Sequence, residues 1–548
     1  MPELYPTHSI MDTSPVIRTA LGQVRGVKRT TIYDDSYFSF EGIPFGKPPL
    51  GDLRFRAPQP VDPWTGIRDC SVAGNKPLQK NSSTGQIVGS EDCLYLNIYA
   101  KTLTPKQPLP VMVWIHGGGF HMGEGSRATY GPDYFMQQDV ILVCPNYRLC
   151  SVGFLSLADP DLQVPGNAGL KDQVLVLKWI KRNIVYFNGD ENNVTVFGQS
   201  AGGACAHYLG ISEQSRGLFH KLILMSGTAL NSWANIPQPD SAYWLAKQNG
   251  YEGENTDRQV LCYLRGLEAG KLVKHDLLTE EYRRNSYDFV FGPTTEPYVS
   301  ENCVIPRKPL DMMRTAWGNA IPMILGRTTF EGLIMYRRIK LKPETTEKLK
   351  TDPERVLPVE VRETRSAEDR KLLAGKIIYE HFGDKEPGAQ TLFEHLHFYS
   401  NKLFSHDIHR VALSRTARAT APTYLYRFAF DSPDFNAHRA RFCGKDPVRG
   451  VAHADELSYL FYLPESWKLT SETPEYKAIQ RMVGMWTAFA KSSDPNCAAI
   501  KPAVWHPLQQ DSPNVALNIS GEGVDMMQIP EVLQMELWDS LYKKEDLH

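Results

Sequence analysis

The sequence predicts an α/β protein built on a mostly parallel central sheet with helices on both faces, and three observations carry that prediction. Short runs of apolar and β-branched residues recur along the chain: VMVWI at 111–115, VILVC at 140–144, NVTVF at 193–197, LILM at 222–225 and IPMIL at 321–325. Runs of that length and composition fit strands buried on both faces. Between two of them lies GLKDQVLVLKWIKRNIVYFNGD, long enough for a helix. The repeated order of strand, helix and strand then calls for a mostly parallel sheet with helices on both faces.

Each element has its own justification. VMVWI is a continuous apolar run bounded by Pro110 and HGGGF. In the helical stretch Lys171, Lys178, Lys181 and Arg182 fall on one face and apolar residues cover the rest, as expected of a largely buried helix. IPMIL is read as a strand ending at Leu325, and TYLYRFAF at 423–430 as another strand followed by a long loop. The most charged tract, residues 341–371, reads as a solvated insertion carrying helices. No linker, repeat or low-complexity tract divides the chain, so the expected organisation is a flexible N-terminal segment over residues 1–17 and one domain over 18–548.

Composition narrows the partners. The chain has 548 residues, 42% of them hydrophobic and 22% charged, with 60 basic and 62 acidic side chains for a formal charge of −2. That balance gives no electrostatic reason to expect nucleic acid or an anionic membrane. A small neutral or apolar molecule fits better. No window reaches the run of apolar residues that a membrane helix requires, and the N-terminus lacks the basic and apolar regions of a secretory signal. The expected location is therefore cytoplasmic, or secreted if a signal was removed before this numbering starts. Nine cysteines without a CxxC pair give no zinc or dithiol motif. Cys70 and Cys93 enclose 22 residues and could form a disulfide in an oxidising compartment. Such a bridge would contribute about 3 kcal/mol there, and in a reducing cytosol it would not form.

The chemistry starts at FGQSAGG. The pattern Gly198, Gln199, Ser200, Ala201, Gly202 is weak alone, with roughly 0.2 chance matches expected in a chain of this length. Its setting makes it specific. It follows the strand NVTVF and opens a helix of small residues, the strand-turn-helix in which a nucleophile elbow must sit. A hydroxyl attacks only when a base takes its proton, and the base needs a carboxylate to hold its tautomer. His453, in GVAHADEL, supplies the base, and Glu331, in the loop after IPMIL, supplies the carboxylate in the chain order serine, acid, histidine. HGGGF at 116–120 directly follows a strand, and its glycines let backbone N–H groups face one oxygen. Gly118, Gly119 and Ala201 are the expected oxyanion donors.

HGGGF, SEDCLYLNIY at 90–99, PGNAGLKDQ at 165–173, FGQSAGG, the FEG around Glu331 and GVAHADE together resemble the type-B carboxylesterase and cholinesterase family, from about residue 18 to about residue 540. YDDSYFSFEGIPFGKPPLGDLRFRAP, YGPDYF and RGLFHKLILMSG are similar to the insect α-esterase carboxylesterases. The resemblance implies a single α/β-hydrolase domain, hydrolysis of lipophilic or xenobiotic carboxylic esters, and no metal or cofactor. By family position it implies that Trp233 and Phe289 wall an acyl pocket, that Tyr130 lines the approach, and that Glu456 anchors a water network with Gln199 and Ser226 without being catalytic. Oligomeric state is open, with a monomer or weak dimer expected.

Departures matter too. Most members carry glutamate where this chain has Gln199, and the cholinesterase tryptophan that binds quaternary ammonium has no counterpart in NSSTGQIVG. Choline specificity is not expected. GQSAG is also typical of insect juvenile hormone esterases, which makes that activity the alternative reading, and stoichiometric sequestration of ester toxicants is a second alternative. A neutral Gln199 retains hydrogen bonding and lacks the charge, so weak preference for cationic esters and slow deacylation are expected. Gln199→Glu should raise the ratio of cationic to neutral ester rates, and an unchanged ratio would contradict this.

Overall fold

Alternation of side chains along short apolar strands builds two cores at once. In the computed structural model, which describes residues 13–275, 277–285 and 289–548, Val111, Val113 and Ile115 enter one apolar cluster while Met112 and Trp114 enter another. Leu222 and Leu224 likewise part from Ile223 and Met225. Successive residues of a strand point to opposite faces, so runs without a polar partner need a cover on each side. The helices provide it.

The strands in chain order are β1 (Thr13–Arg18), β2 (Gln23–Thr30), β3 (Ser36–Pro44), β4 (Ile67–Asp69), β5 (Gln79–Lys80), β6 (Ile87–Val88), β7 (Tyr95–Ala100), β8 (Leu109–Ile115), β9 (Ile141–Pro145), β10 (Gly189–Gln199), β11 (Lys221–Met225), β12 (Met323–Thr328), β13 (Thr423–Phe428), β14 (Val515–Ile519) and β15 (Val524–Gln528). Their main sheet runs β1-β2-β3-β7-β9-β8-β10-β11-β12-β13-β14-β15, with β4 beside β2 and the pair β5-β6 apart. From β9 through β8, β10, β11, β12 and β13 to β14 all pairings are parallel. Both ends are antiparallel. Parallel strands place their C-terminal ends along one edge, where an open α/β sheet presents a site.

Three expectations change. Residues 1–12 lie outside the described residues, but 13–17, expected to be flexible, belong to β1, which pairs antiparallel with β2. The strand expected to stop at Leu325 continues to Thr328, because β13 pairs with it through Phe428. Lys171, assigned to the charged face of the helix Ala168–Asn183, is buried and bonds Glu296 at 2.9 Å. Beside it Asp172 holds Arg148 at 2.6 Å with both side chains almost fully enclosed. Removing one partner of such a pair costs about 3–5 kcal/mol, because the other charge stays buried alone.

The charged tract forms the helices Glu344–Thr351, Val359–Thr364 and part of Ala367–Phe382. Its Leu349, Val356 and Val361 pack into a satellite core with Trp538 and Leu541 from the C-terminal end. Cys70 and Cys93 are not bridged: both are buried free thiols in the larger core, packed as small apolar groups. Burial pushes the Cys70 thiol up to about 12 and the Cys93 thiol higher still. Among the described residues no helix is long and apolar enough to cross a membrane.

Candidate active site

β10 ends at Gln199, and the next residue turns the chain by force. Ser200 has φ +58° and ψ −126°, an uncommon conformation for a residue with a Cβ, and it leads directly into the helix Ala201–Ile211. Its amide donates to Met225 O at 2.8 Å and its carbonyl accepts from Ala204 at 2.9 Å, so both sides of the turn are pinned. Flanking side chains are excluded. A Cβ on Gly198 would stand 2.3 Å from Gly202 O, and one on Gly202 would stand 2.0 Å from Ile115 O. Phe120, Ser226 and Ala454 also hold positive φ around this edge. Strain of this kind persists only where the surroundings over-determine the backbone.

Glu331 and His453, 122 residues apart in sequence, meet here. His453 Nδ1 lies 2.5 Å from Glu331 Oε2, and both side chains are buried. The other carboxylate oxygen accepts from Ser226 Oγ at 2.6 Å and from the Thr328 amide at 2.8 Å. Next to His453, the buried Asp455 carboxylate accepts the amides of Ala452 at 2.7 Å and Arg439 at 2.8 Å, tying the histidine loop to the helix Ala437–Cys443. Burial pushes Asp455 up to about 7. Glu456 is fully enclosed, and burial together with the Glu331 charge holds it well above the usual carboxylate range. Its Oε1 lies 3.4 Å from Ser226 Oγ. Gln199, expected in a network with Glu456, instead brings its Nε2 to 3.1 Å from His453 Nε2. Among the described residues no hydrogen bond joins Ser200 Oγ to the imidazole.

The glycine loop faces this group. Gly118 and Gly119 have φ +111° and +63°, and among the described residues their amides donate to no acceptor. The loop is braced by residues the sequence reading passed over. His116 Nδ1 lies 2.9 Å from Gly117 O, its ring stacks on Tyr147 with 4.4 Å between centroids, and the Tyr147 hydroxyl donates to His116 O at 2.8 Å. Burial lowers His116 to about 4, so the ring is neutral and its Nδ1–H holds the loop.

Aromatic rings flank both halves. Phe289 covers the backbone of Gly119, where a Cβ would come within 2.2 Å of its ring, and it stacks on His121 at 4.8 Å. Trp233 is buried, donates Nε1 to Leu403 O at 2.8 Å and lies 5.8 Å from Phe404. Phe404 in turn lies 4.5 Å from the His453 ring. Sequence reasoning missed Phe404. It sits in a π-helical turn, Asn401–Ser405, between two ordinary helices, and such turns recur at functional sites. The Tyr130 ring packs on Trp114 at 5.3 Å and on Phe461 at 5.2 Å, against the second core cluster.

The chain that carries this arrangement matches a known family model over residues 13–538, that of the carboxylesterase family. The chain belongs to the carboxylesterase family. It is a carboxylic ester hydrolase with the α/β-hydrolase fold. Among carboxylesterase relatives it is 38% identical to esterase B1 of Culex pipiens over 97% of this chain and 99% of that one. It is 34% identical to a juvenile hormone esterase of Tribolium castaneum, covering 88% of this chain and 84% of that one. The crystal structure of juvenile hormone esterase from Manduca sexta with OTFP covalently attached superposes with a TM-score of 0.83 at 29% identity, over 96% of this chain and 99% of that one.

The acid can be probed without disturbing the rest of the carboxylesterase fold. Glu331→Gln keeps shape but presents an amide to Nδ1, which no longer selects the tautomer that leaves Nε2 as acceptor. Steady-state kinetics should show kcat reduced by about 10⁴ with little change in KM. A loss under tenfold would contradict the assignment of Glu331.

Proposed function

We propose that this carboxylesterase hydrolyses lipophilic or xenobiotic carboxylic esters through an acyl-enzyme on Ser200, and that organophosphates trap the same serine. The carrying observation is that uncharged aromatic rings flank both the imidazole, through Phe404 and Trp233, and the oxyanion loop, through Phe289. An acyl chain enters such a wall by burying apolar surface, at about 25 cal/mol per Å².

The steps follow from the residues in place. His453 Nε2 accepts the Ser200 proton as Oγ attacks the ester carbonyl. The amides of Gly118, Gly119 and Ala201 hold the resulting oxyanion, each being the kind of donor whose removal costs about 10²- to 10³-fold in rate. Glu331 steadies the imidazolium. The alcohol departs with the proton from His453, and water repeats the sequence on the acyl group. With an organophosphate the first half is the same, and dephosphorylation is slow without a placed water.

Juvenile hormone esterase activity remains the alternative, supported by GQSAG at 198–202 and by the relatives of that name. Esterase B1, the relative with the higher identity, aligns over more of both chains. Active-site titration with a chromogenic organophosphate diester tests the main reading. It should release one leaving group per chain in a burst that Ser200→Ala abolishes, and the slope afterwards measures turnover against sequestration. Absence of a burst would overturn the assignment of Ser200.

A further inference from the structure

The base has its lone pair occupied. In the neutral imidazole the ring nitrogen facing Glu331 at 2.5 Å donates, so Nε2 is the acceptor, and the atom that faces it is the side-chain amide of Gln199 at 3.1 Å. A carboxamide presented to an acceptor donates its N–H. Both partners are almost fully enclosed, Gln199 and His453 each 3% exposed.

The backbone of Gln199 is fixed, so only its side chain can move. Its backbone closes β10, in register with Met225 of β11, and it directly precedes the strained Ser200. Its side chain runs across the glycine loop. A Cβ on Gly117 would stand 3.2 Å from Gln199 Oε1 and 2.7 Å from its carbonyl oxygen. The carboxamide therefore spans from the oxyanion loop to the catalytic base, with its oxygen toward Gly117 and its amide toward His453.

We propose that Gln199 is a positioning residue that caps Nε2 of His453 in the substrate-free enzyme, so that Ser200 gains its base only while the leaving-group half of a bound ester displaces the carboxamide. This rests on the reading of Ser200 and His453 as nucleophile and base. The cap has two consequences for rate. Attack is slowed by the cost of releasing one net hydrogen bond, about 2- to 10-fold. Deacylation is slowed as well, because the returning amide takes the place at Nε2 from which the base must draw a proton off water. A glutamate at this position, ionised, offers no N–H and cannot cap in this way. Slow release of acyl or phosphoryl groups then follows from one amide.

The test separates attack from deacylation. Gln199→Met keeps an unbranched side chain of similar length and removes the donor, while Gln199→Asn keeps the amide but is one methylene too short to reach Nε2. Both variants and the wild type are titrated with a chromogenic organophosphate, for the second-order rate of attack, and with a chromogenic carboxylic ester, for the deacylation rate constant. Both rates should rise about 2- to 10-fold in Gln199→Met, and Gln199→Asn should follow it. A merely structural role predicts the opposite sign. Rates unchanged or lowered in a variant with an unaltered thermal midpoint would overturn the proposal. Should Gln199→Met fail to fold, Gln199→Asn decides alone. Ser200→Ala distinguishes the two levels: a burst that survives it refutes the reading of the serine, whereas a burst lost in Ser200→Ala with no rate gain at Gln199 refutes only the cap.

Discussion

The buried carboxylate of Glu331 is the constraint on which the rest of the site depends. It is wholly enclosed and accepts from three donors on three different segments: Ser226 after β11, Thr328 at the end of β12 and His453 in the loop beyond β13. A buried carboxylate that lost any of these would keep its desolvation cost without compensation. The loops are therefore fixed relative to one another. That in turn places the imidazole beside the elbow and leaves Nε2, the nitrogen not facing Glu331, against the side-chain amide of Gln199.

Around this charge the protein keeps the reacting atoms in apolar company. Phe404 packs against the imidazole, Trp233 against Phe404, and Phe289 against the glycine loop. The π-helical turn at 401–405 makes this possible: it turns the Leu403 carbonyl toward Trp233 Nε1 and the Asn231 amide while presenting the Phe404 ring to His453. Small rearrangements there would move Trp233 and the His453 ring together.

What could be read from the sequence was whatever is local. The elbow, the glycine loop, and the acid and histidine in chain order each carry their meaning within a few residues, because turns and strand ends have strict chemical demands. The brace formed by His116 and Tyr147, the ring of Phe404 on His453 and the Asp455 clamp on Ala452 and Arg439 join residues with no periodic signal between them. Lys171 misled for the same reason, since its helical face was visible but Glu296, 125 residues away, was not. β12 ran on to Thr328 because its neighbour β13 extended that far, and this extension delivers the amide that Glu331 accepts. Gln199 was recognisable as an unusual residue. Where its amide points could come only from the fold.

The central claim is that Glu331 fixes His453 as the Nδ1–H tautomer with Nε2 as an acceptor. NMR of the substrate-free protein labelled with ¹⁵N-histidine tests it most directly, through the one-bond proton coupling and shift of each ring nitrogen, assigned by comparison with His453→Ala. A strongly downfield proton on Nδ1 of His453 and an unprotonated Nε2 are expected. A proton on Nε2 with a bare Nδ1 would contradict it, and with it both the assignment of the base and the direction of the bond from Gln199.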